Sequence, residues 1–294
     1  MENENQTSAE TEAPKTTTAD TPIAEPAKKT GKFASLRNDP KGWLILLLGV
    51  GAPLAFVIAA GGSGLGMWGW QAGLGAVPWI VGVALLTLII AIVGVILDRR
   101  KGRKTRLPLL GLGLAATVGF FVYLTSYISP MLSLPAIHDI TTDLADPPQF
   151  SALKLREDNW DNIPGADDGE MRGMNPRQRW ATLHQDAFSD IRSVRIDQPV
   201  AEVIEKAKRL AEDRGWEIVS VEPASGHLEA TDSVSLFQFK DDVVIRARAA
   251  ENGAASIIDM RSVSRVGVHD LGVNSERVRK FLSDLSGTTT AASR

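Results

Sequence analysis

With 294 residues the chain has room for two ordinary domains, and its mean hydropathy of -0.02 beside 23% charged residues is the average of very unlike segments. The absence of cysteine excludes disulfides, thiolate metal sites, iron–sulfur clusters and a cysteine nucleophile. A formal net charge of -3 argues against nucleic acid as a partner, and the four histidines (His138, His184, His227, His269) are too far apart for a local HExxH-type metal motif.

Residues 1–40 are Thr, Ala, Glu, Pro and Lys with few bulky apolar side chains, a composition that predicts a disordered tail. This stretch is too long and polar for the start of a signal peptide, and no A-x-A cleavage pattern ends the first apolar run, so that run is expected to stay as an anchor. No Lys, Arg, Asp or Glu occurs from Trp43 to Leu97 or from Leu107 to Ile137. The first block is too long for one crossing of a hydrocarbon core of about 30 Å. The glycines between Gly61 and Gly75 predict a turn, with spans over about 43–60 and 77–97, and the second block predicts a span over about 107–128. Trp68, Trp70 and Trp79 fall near the hairpin, and Tyr123 and Tyr127 near the far end of the third span, as interfacial aromatic residues do. Gly51, Ala55 and Ala59, and again Gly111, Ala115 and Gly119, offer small-residue faces for close packing of the spans.

Basic residues set the expected orientation. Six occupy the 98–106 loop, Lys28, Lys29, Lys32, Arg37 and Lys41 precede the first span, and the first hairpin has no charge. The N-terminus is therefore expected inside a cytoplasmic (inner) membrane and everything after about residue 129 outside, periplasmic in a Gram-negative envelope. The spans carry no ionisable residue, which argues against transport.

Beyond the three-helix membrane domain (41–129), residues 130–192 read as an extended leader rich in Pro, Asp and Gly, with a short helix at about 176–187. Residues 193–286 predict an α+β domain, and 287–294 a frayed tail. The domain opens with a strand at 193–197. Pro199 then starts a helix with Val200, Val203, Ile204, Ala207, Leu210 and Ala211 on one apolar stripe and Gly215 as its stop. Strands are expected at about 216–222, 227–238, 241–250 and 255–266, and Asn274 is expected to cap a last helix that buries Val278, Phe281, Leu282 and Leu285. The order β-α-β-β-β-β-α predicts an antiparallel sheet with its helices on one face.

His138-Asp139-Ile140-Thr141-Thr142-Asp143 followed by Asp146-Pro147-Pro148-Gln149-Phe150, and Asp259-Met260-Arg261-Ser262-Val263-Ser264-Arg265-Val266-Gly267 followed by Asp270-Leu271-Gly272-Val273-Asn274, resemble the family catalogued as domain of unknown function 1499. Gly215-Trp216-Glu217 and Phe239-Lys240-Asp241-Asp242-Val243 fit between them, and the resemblance covers roughly 134–286, outside the three spans. It implies an envelope or plastid setting and carries over no reaction and no catalytic residue. At Phe188-Ser189-Asp190 the sequence departs from the Tyr-Pro pair the resemblance leads one to expect. The element order also resembles the helix-grip modules of outer-membrane assembly lipoproteins, a likeness of fold alone.

Several constellations have a functional and a structural reading. Gly64-Leu65-Gly66-Met67-Trp68-Gly69 satisfies G-x-G-x-x-G, but no strand precedes it and no acidic residue follows at the ribose distance, so it reads as a hairpin turn. His138, Asp139, Asp143 and Asp146 have the ligand types of a hard-cation site, yet their spacing matches no EF-hand and Pro147-Pro148 suits a rigid connector; no metal or cofactor is expected. His269-Asp270 near Ser262 and Ser264 evokes a hydrolytic triad, against a role in the turn and cap of the last helix. Strand alternation puts Val243, Ile245, Ala247, Ala249, Ile258, Met260, Ser262, Ser264 and Val266 on one face and Arg246, Arg248, Arg261 and Arg265, with Val244 and Asp259, on the other. That second face reads either as an anion-binding surface or as a solvated face of cross-strand Arg–Asp pairs.

The expectation that follows is an integral membrane protein presenting a non-catalytic binding or assembly module to an envelope component. Its partners would be the lipid bilayer and an anionic envelope ligand or envelope protein. The alternative is a membrane-anchored hydrolase using Asp and His from 138–146 and 269–270.

Overall fold

The two charge-free stretches become three helices, α1 (Pro40–Gly64), α2 (Trp70–Arg100) and α3 (Leu107–Ile128). In this computed structural model residues 39–105, 107–234 and 237–287 are described. The tails expected over 1–40 and 287–294 lie, but for 39–40 and 287, outside the described residues, as do Lys28, Lys29, Lys32 and Arg37. The helices have 25, 31 and 22 residues. At the helical rise they are about 38, 46 and 33 Å long, and each can cross a hydrocarbon core of about 30 Å.

The turn between α1 and α2 is much shorter than the run of glycines suggests. In an apolar solvent an unpaired peptide group costs more than the low helix propensity of glycine, so the helices extend until only 65–69 separates them. Trp68 fills the space left by Gly62, where a Cβ would overlap its ring, and donates its indole N–H to the Ala59 carbonyl at 3.1 Å.

The expected small-residue stripes pack only in part, at Ala59 and not at their glycines. Gly51, Gly111 and Gly119 have open space at their Cβ positions. The close approach of α1 and α3 is at Gly49 and Gly113: a Cβ on Gly49 would run into the Gly113 carbonyl, and one on Gly113 would lie 2.6 Å from the Ile45 oxygen. Ile45, Gly49, Ala52, Phe56 and Ala59 form the buried stripe of α1 at alternating four- and three-residue steps. Lys41 at the start of α1 pairs with Asp98 near the end of α2 at 2.9 Å.

A 3-10 turn (Ser129–Ser133) leads into the domain. Its elements are β1 (Asp139–Thr141), α4 (Pro176–Ala187), β2 (Val194–Ile196), α5 (Val200–Asp213), β3 (Glu217–Glu222), β4 (His227–Val234), β5 (Phe239–Ala250), β6 (Ala255–Ser264) and α6 (Val273–Ser286). All pairings are antiparallel, in the order β1-β6-β5-β4-β3, and β2 lies beyond β1 along the same side of β6. Val203, Ile204, Ala207 and Ala211 of α5 join Val278, Phe281, Leu282 and Leu285 of α6 on one face of the sheet, over Leu228, Ala230, Val243, Ile245, Ile258 and Met260. Trp216, placed by the left-handed turn at Gly215, stacks on Phe281 with centroids 5.0 Å apart.

Two expectations are corrected. A boundary at residue 193 cuts this sheet, because β1 belongs to it and the segment read as a leader is packed on it. The free edge of β1 is covered by side chains of α4: Trp180 Nε1 donates to the Asp139 carbonyl at 2.7 Å, and the Thr141 amide donates to His184 Nε2 at 3.1 Å. These side chains stand in for a neighbouring strand and close an edge that would otherwise be open to pairing. Asn274 is not the cap of α6. Gly272, at φ 83°, turns the chain so that Asn274 is buried against the sheet, while the Asp270 carboxylate accepts from the amides of Gly272 (3.0 Å) and Asn274 (2.7 Å).

The β4–β5 hairpin is the link between domain and helices. Phe237 lies 6.5 Å from Phe56, Phe239 lies 5.3 Å from Trp70, and Gln238 donates to the Gly64 carbonyl at 2.8 Å. Pro40 onward thus forms one compact unit.

The close approach of α1 and α3 gives a paired test. In the detergent-solubilised full chain, Gly49→Leu should lower the thermal midpoint by about 3–10 °C, the effect of forcing volume into a filled contact. Gly51→Leu, which points into open space, should leave it unchanged, and a differential scan of the two variants reads the difference.

Candidate functional site

Strand alternation turns Glu229 and Thr231 of β4, Val244, Arg246 and Arg248 of β5, and Asp259, Arg261 and Val263 of β6 away from the helix-covered core. The sequence places four arginines there with Asp259. The structure adds Asp139, Asp143, Asp146, Glu229 and Asp242, and lays the segment 142–160 over the face.

Arg261 is 2% exposed and Asp139 1%. Nε and Nη2 of Arg261 donate to the two Asp139 oxygens at 2.9 and 2.6 Å, Nη1 donates to the Pro148 carbonyl at 3.3 Å, and the Phe150 ring lies 6.0 Å from the guanidinium carbon. Asn159 Nδ2 donates to Asp139 Oδ2 at 2.8 Å. Each nitrogen of the guanidinium therefore has an acceptor, as a buried ion pair needs.

Asp259, fully buried, takes Arg246 at 3.1 Å, Arg248 at 2.8 Å and the Ser193 hydroxyl at 2.5 Å. Arg246 also donates to Asp146 Oδ2 at 2.8 Å and to the Asp146 carbonyl at 2.8 Å, and lies 3.4 Å from Asp143. Burial works against the Arg246 charge, but Asp259 and Asp146 outweigh it and raise its pKa. Arg265 is held on Asp242 through Nε (2.9 Å) and Nη2 (2.8 Å), and the Asp242 carboxylate raises its pKa.

The next strand carries an anchor that the sequence reading missed. Glu229, fully buried, accepts the backbone amides of Ser151 at 2.5 Å, Ala152 at 3.1 Å and Leu153 at 2.6 Å, with His227 Nε2 2.7 Å away. Burial pushes the Glu229 pKa up, but the Leu153 amide, His227 and Ser151 overcome it and hold the carboxyl at about 2. The available signal was a glutamate on the face of β4 turned away from the core, the same face on which the neighbouring strand carries Arg246.

The second group of candidate residues divides as well. His138 and Asp139 are adjacent to α6 and to Arg261, whereas Asp143 turns the leader, accepting the amides of Ala145 and Asp146 at 3.1 and 3.0 Å. His269 Nδ1 accepts from the Leu271 amide at 2.8 Å, and Asp270 caps α6. Burial raises the Asp270 pKa against the pull of the Gly272 and Asn274 amides. Ser262 donates to Asn274 Oδ1 at 2.6 Å, and Ser264 accepts from Asn274 Nδ2 at 2.9 Å. Neither serine bonds His269 among the described residues, so the chain neighbours His269 and Asp270 serve separate structural contacts. No group of three His, Cys, Asp or Glu side chains among the described residues is arranged to hold a metal ion.

Beside Arg265 a cleft of about 430 Å³ opens between the leader and the end of β6, walled by Phe150, Leu153, Leu155 and Val263 and edged by Lys154, Arg156 and Arg265. Arg265 is 41% exposed there.

A family model described as "Protein of unknown function (DUF1499)" matches residues 139–285, from the first residue of β1 to the last turn of α6. The matched stretch thus includes the leader as well as the sheet. No curated protein matches the chain.

Two predictions follow from the burial of these groups. In denaturant unfolding of the full chain, read by near-UV circular dichroism, Arg261→Ala should destabilise the domain by about 3–5 kcal/mol, because it strands a buried carboxylate. Arg248→Ala, at a side chain 48% exposed whose partner keeps Arg246, should cost no more than about 1 kcal/mol.

The other prediction concerns acid. Burial holds the His184 pKa at about 4 against an ordinary 6.5, and burial followed by the Arg156 charge lowers that of His138. Between those limits the unfolded chain binds more protons than the folded one, so stability should fall as pH drops from 6.5 towards 4. His184→Gln, which keeps an acceptor for Thr141, should flatten the part of that slope due to His184 in a series of unfolding curves across this range.

Proposed function

The chain belongs to the DUF1499 family, and we propose that it is a multi-pass protein of the cytoplasmic membrane, N-terminus inside, whose family domain presents a non-catalytic binding or assembly surface to an envelope component. The observation that carries the reading is the seating of the β4–β5 hairpin on the helices. Phe237 and Phe239 join Ala52, Phe56, Ile80 and Phe120 in one apolar cluster, which holds the domain against its own anchor. A domain held in this way is confined to one side of the bilayer at a set distance from it. That confinement serves recognition of something in or near the membrane.

The commitment of the charged groups supports a binding role over the hydrolytic alternative. Asp139, Asp143, Asp146 and Asp270 each pair with an arginine or a run of amides, and a carboxylate engaged in that way must break a structural contact to work as an acid or base. The basic residues of the 98–106 loop, with Lys41 beside Asp98, support the orientation.

Protease added to spheroplasts should remove the domain and leave a tag placed ahead of α1 intact. A protected domain with a digested tag would reverse the orientation. Purified full chain that hydrolysed generic ester or phosphoester substrates, with the activity lost in Asp143→Asn or His269→Ala, would replace the binding reading by the enzymatic one.

A further inference from the structure

We propose that the cleft beside Arg265 binds the phosphate headgroup of an anionic phospholipid in the leaflet that the domain faces, an inference that rests on the binding reading above and names its ligand class. The cleft lies at the anchor end of the sheet. The Arg265 amide donates to the Lys240 carbonyl at 3.0 Å, and Lys240 follows Phe239, whose ring packs on Trp70 at the start of α2. Arg156 ties the leader to the loop between β6 and α6 through the Gly267 carbonyl at 2.7 Å. That loop exposes Val268 (47%) and Leu271 (38%), and Leu132, on the connection from α3, is 78% exposed. Apolar side chains beside the ends of membrane helices are placed to meet lipid rather than water.

The donors in the cleft match an anion. Lys154 is exposed and has no ion pair among the described residues. Arg265 uses Nε and Nη2 on Asp242 and Thr231, and its Nη1 has no partner among the described residues. Asp242, the one acid lining the cleft, is already engaged by Arg265 and by the Thr231 hydroxyl at 2.8 Å. An ammonium and a free guanidinium edge thus stand beside an apolar wall of Phe150, Leu153, Leu155 and Val263. A phosphate suits the first pair and a glyceride backbone suits the second. A free phosphate uses only the donors, so the wall and the position favour the lipid.

The test uses the full chain in nanodiscs of phosphatidylcholine containing an equal fraction of phosphatidylglycerol, with a photoreactive amino acid at position 155 in the cleft or at position 268 on the apolar loop. Adducts are identified by mass spectrometry. From position 155 the phosphatidylglycerol adduct should predominate, and Lys154→Gln should reduce it about fivefold, the loss expected for one cation near a charged lipid surface. The phosphatidylcholine adduct and the thermal midpoint should not change, and position 268 should label both lipids. Equal labelling from position 155, no lipid adduct there while position 268 is labelled, or indifference to Lys154→Gln would overturn the inference. Loss of the adduct to excess inorganic phosphate would assign the cleft to a soluble anion and overturn it too. A lack of lipid at position 268 would remove the membrane-facing placement on which it stands. In each case the binding reading survives if another envelope component is captured from the domain, and it fails separately if hydrolysis is found.

Discussion

The ion pair of Asp139 with Arg261 is the contact on which the rest of the domain depends. Two opposite charges taken almost wholly out of water are tolerated only where every strong donor and acceptor is met. The groups that meet them come from scattered positions. Asp139 is on β1, Arg261 on β6, the Pro148 carbonyl and the Phe150 ring on the leader, and Asn159 beyond them. Satisfying one guanidinium therefore fixes the path of the chain from 139 to 159 across the sheet. Once that path is laid, Glu229 receives three leader amides and Asp259 gathers Arg246, Arg248 and Ser193. The domain has an apolar face under two helices and an ionic face under the leader.

Much of this is legible in the sequence. The apolar stripes of α5 and α6, the Gly215 stop and the alternation of β5 and β6 follow from period and turn chemistry, and those elements stand where that reasoning puts them. The short helix expected at about 176–187 is α4, and the structure starts it with a capping box between Asn175 and Gln178. What pattern alone does not convey is which distant residue shares a face. Strand alternation alone gives Asp259 as the lone counter-charge, because the acids that join it lie on other strands and on the chain that crosses the face. β1 is only three residues long and buried throughout, so it carries no alternation by which to recognise it. Likewise, four-residue spacing identified small residues in the spans, but rotation about the helix axis decides which contact a neighbour, and it selects Gly49 and Gly113 over Gly51 and Gly111.

The membrane end of the molecule joins these features. β5 begins at Phe239, on the helices, and its next residues include Asp241 and Asp242, whose partners are Arg277 at 2.7 Å and Arg265. An apolar hairpin tip, a rank of buried ion pairs and an accessible cleft thus follow one another along a single strand. The sheet is thereby registered to the helices at the end where β5 begins.

The central claim is that residues 142–160 are a wall of the domain rather than a tether to it. Hydrogen exchange on the full chain in detergent tests it directly, because Ser151, Ala152 and Leu153 have no strand partner and owe their protection to the Glu229 carboxylate. The account predicts that these amides exchange as slowly as those of β5 and β6, and that Glu229→Ala releases them. Exchange at the rate of the exposed turn 166–170 in the unsubstituted protein would contradict it.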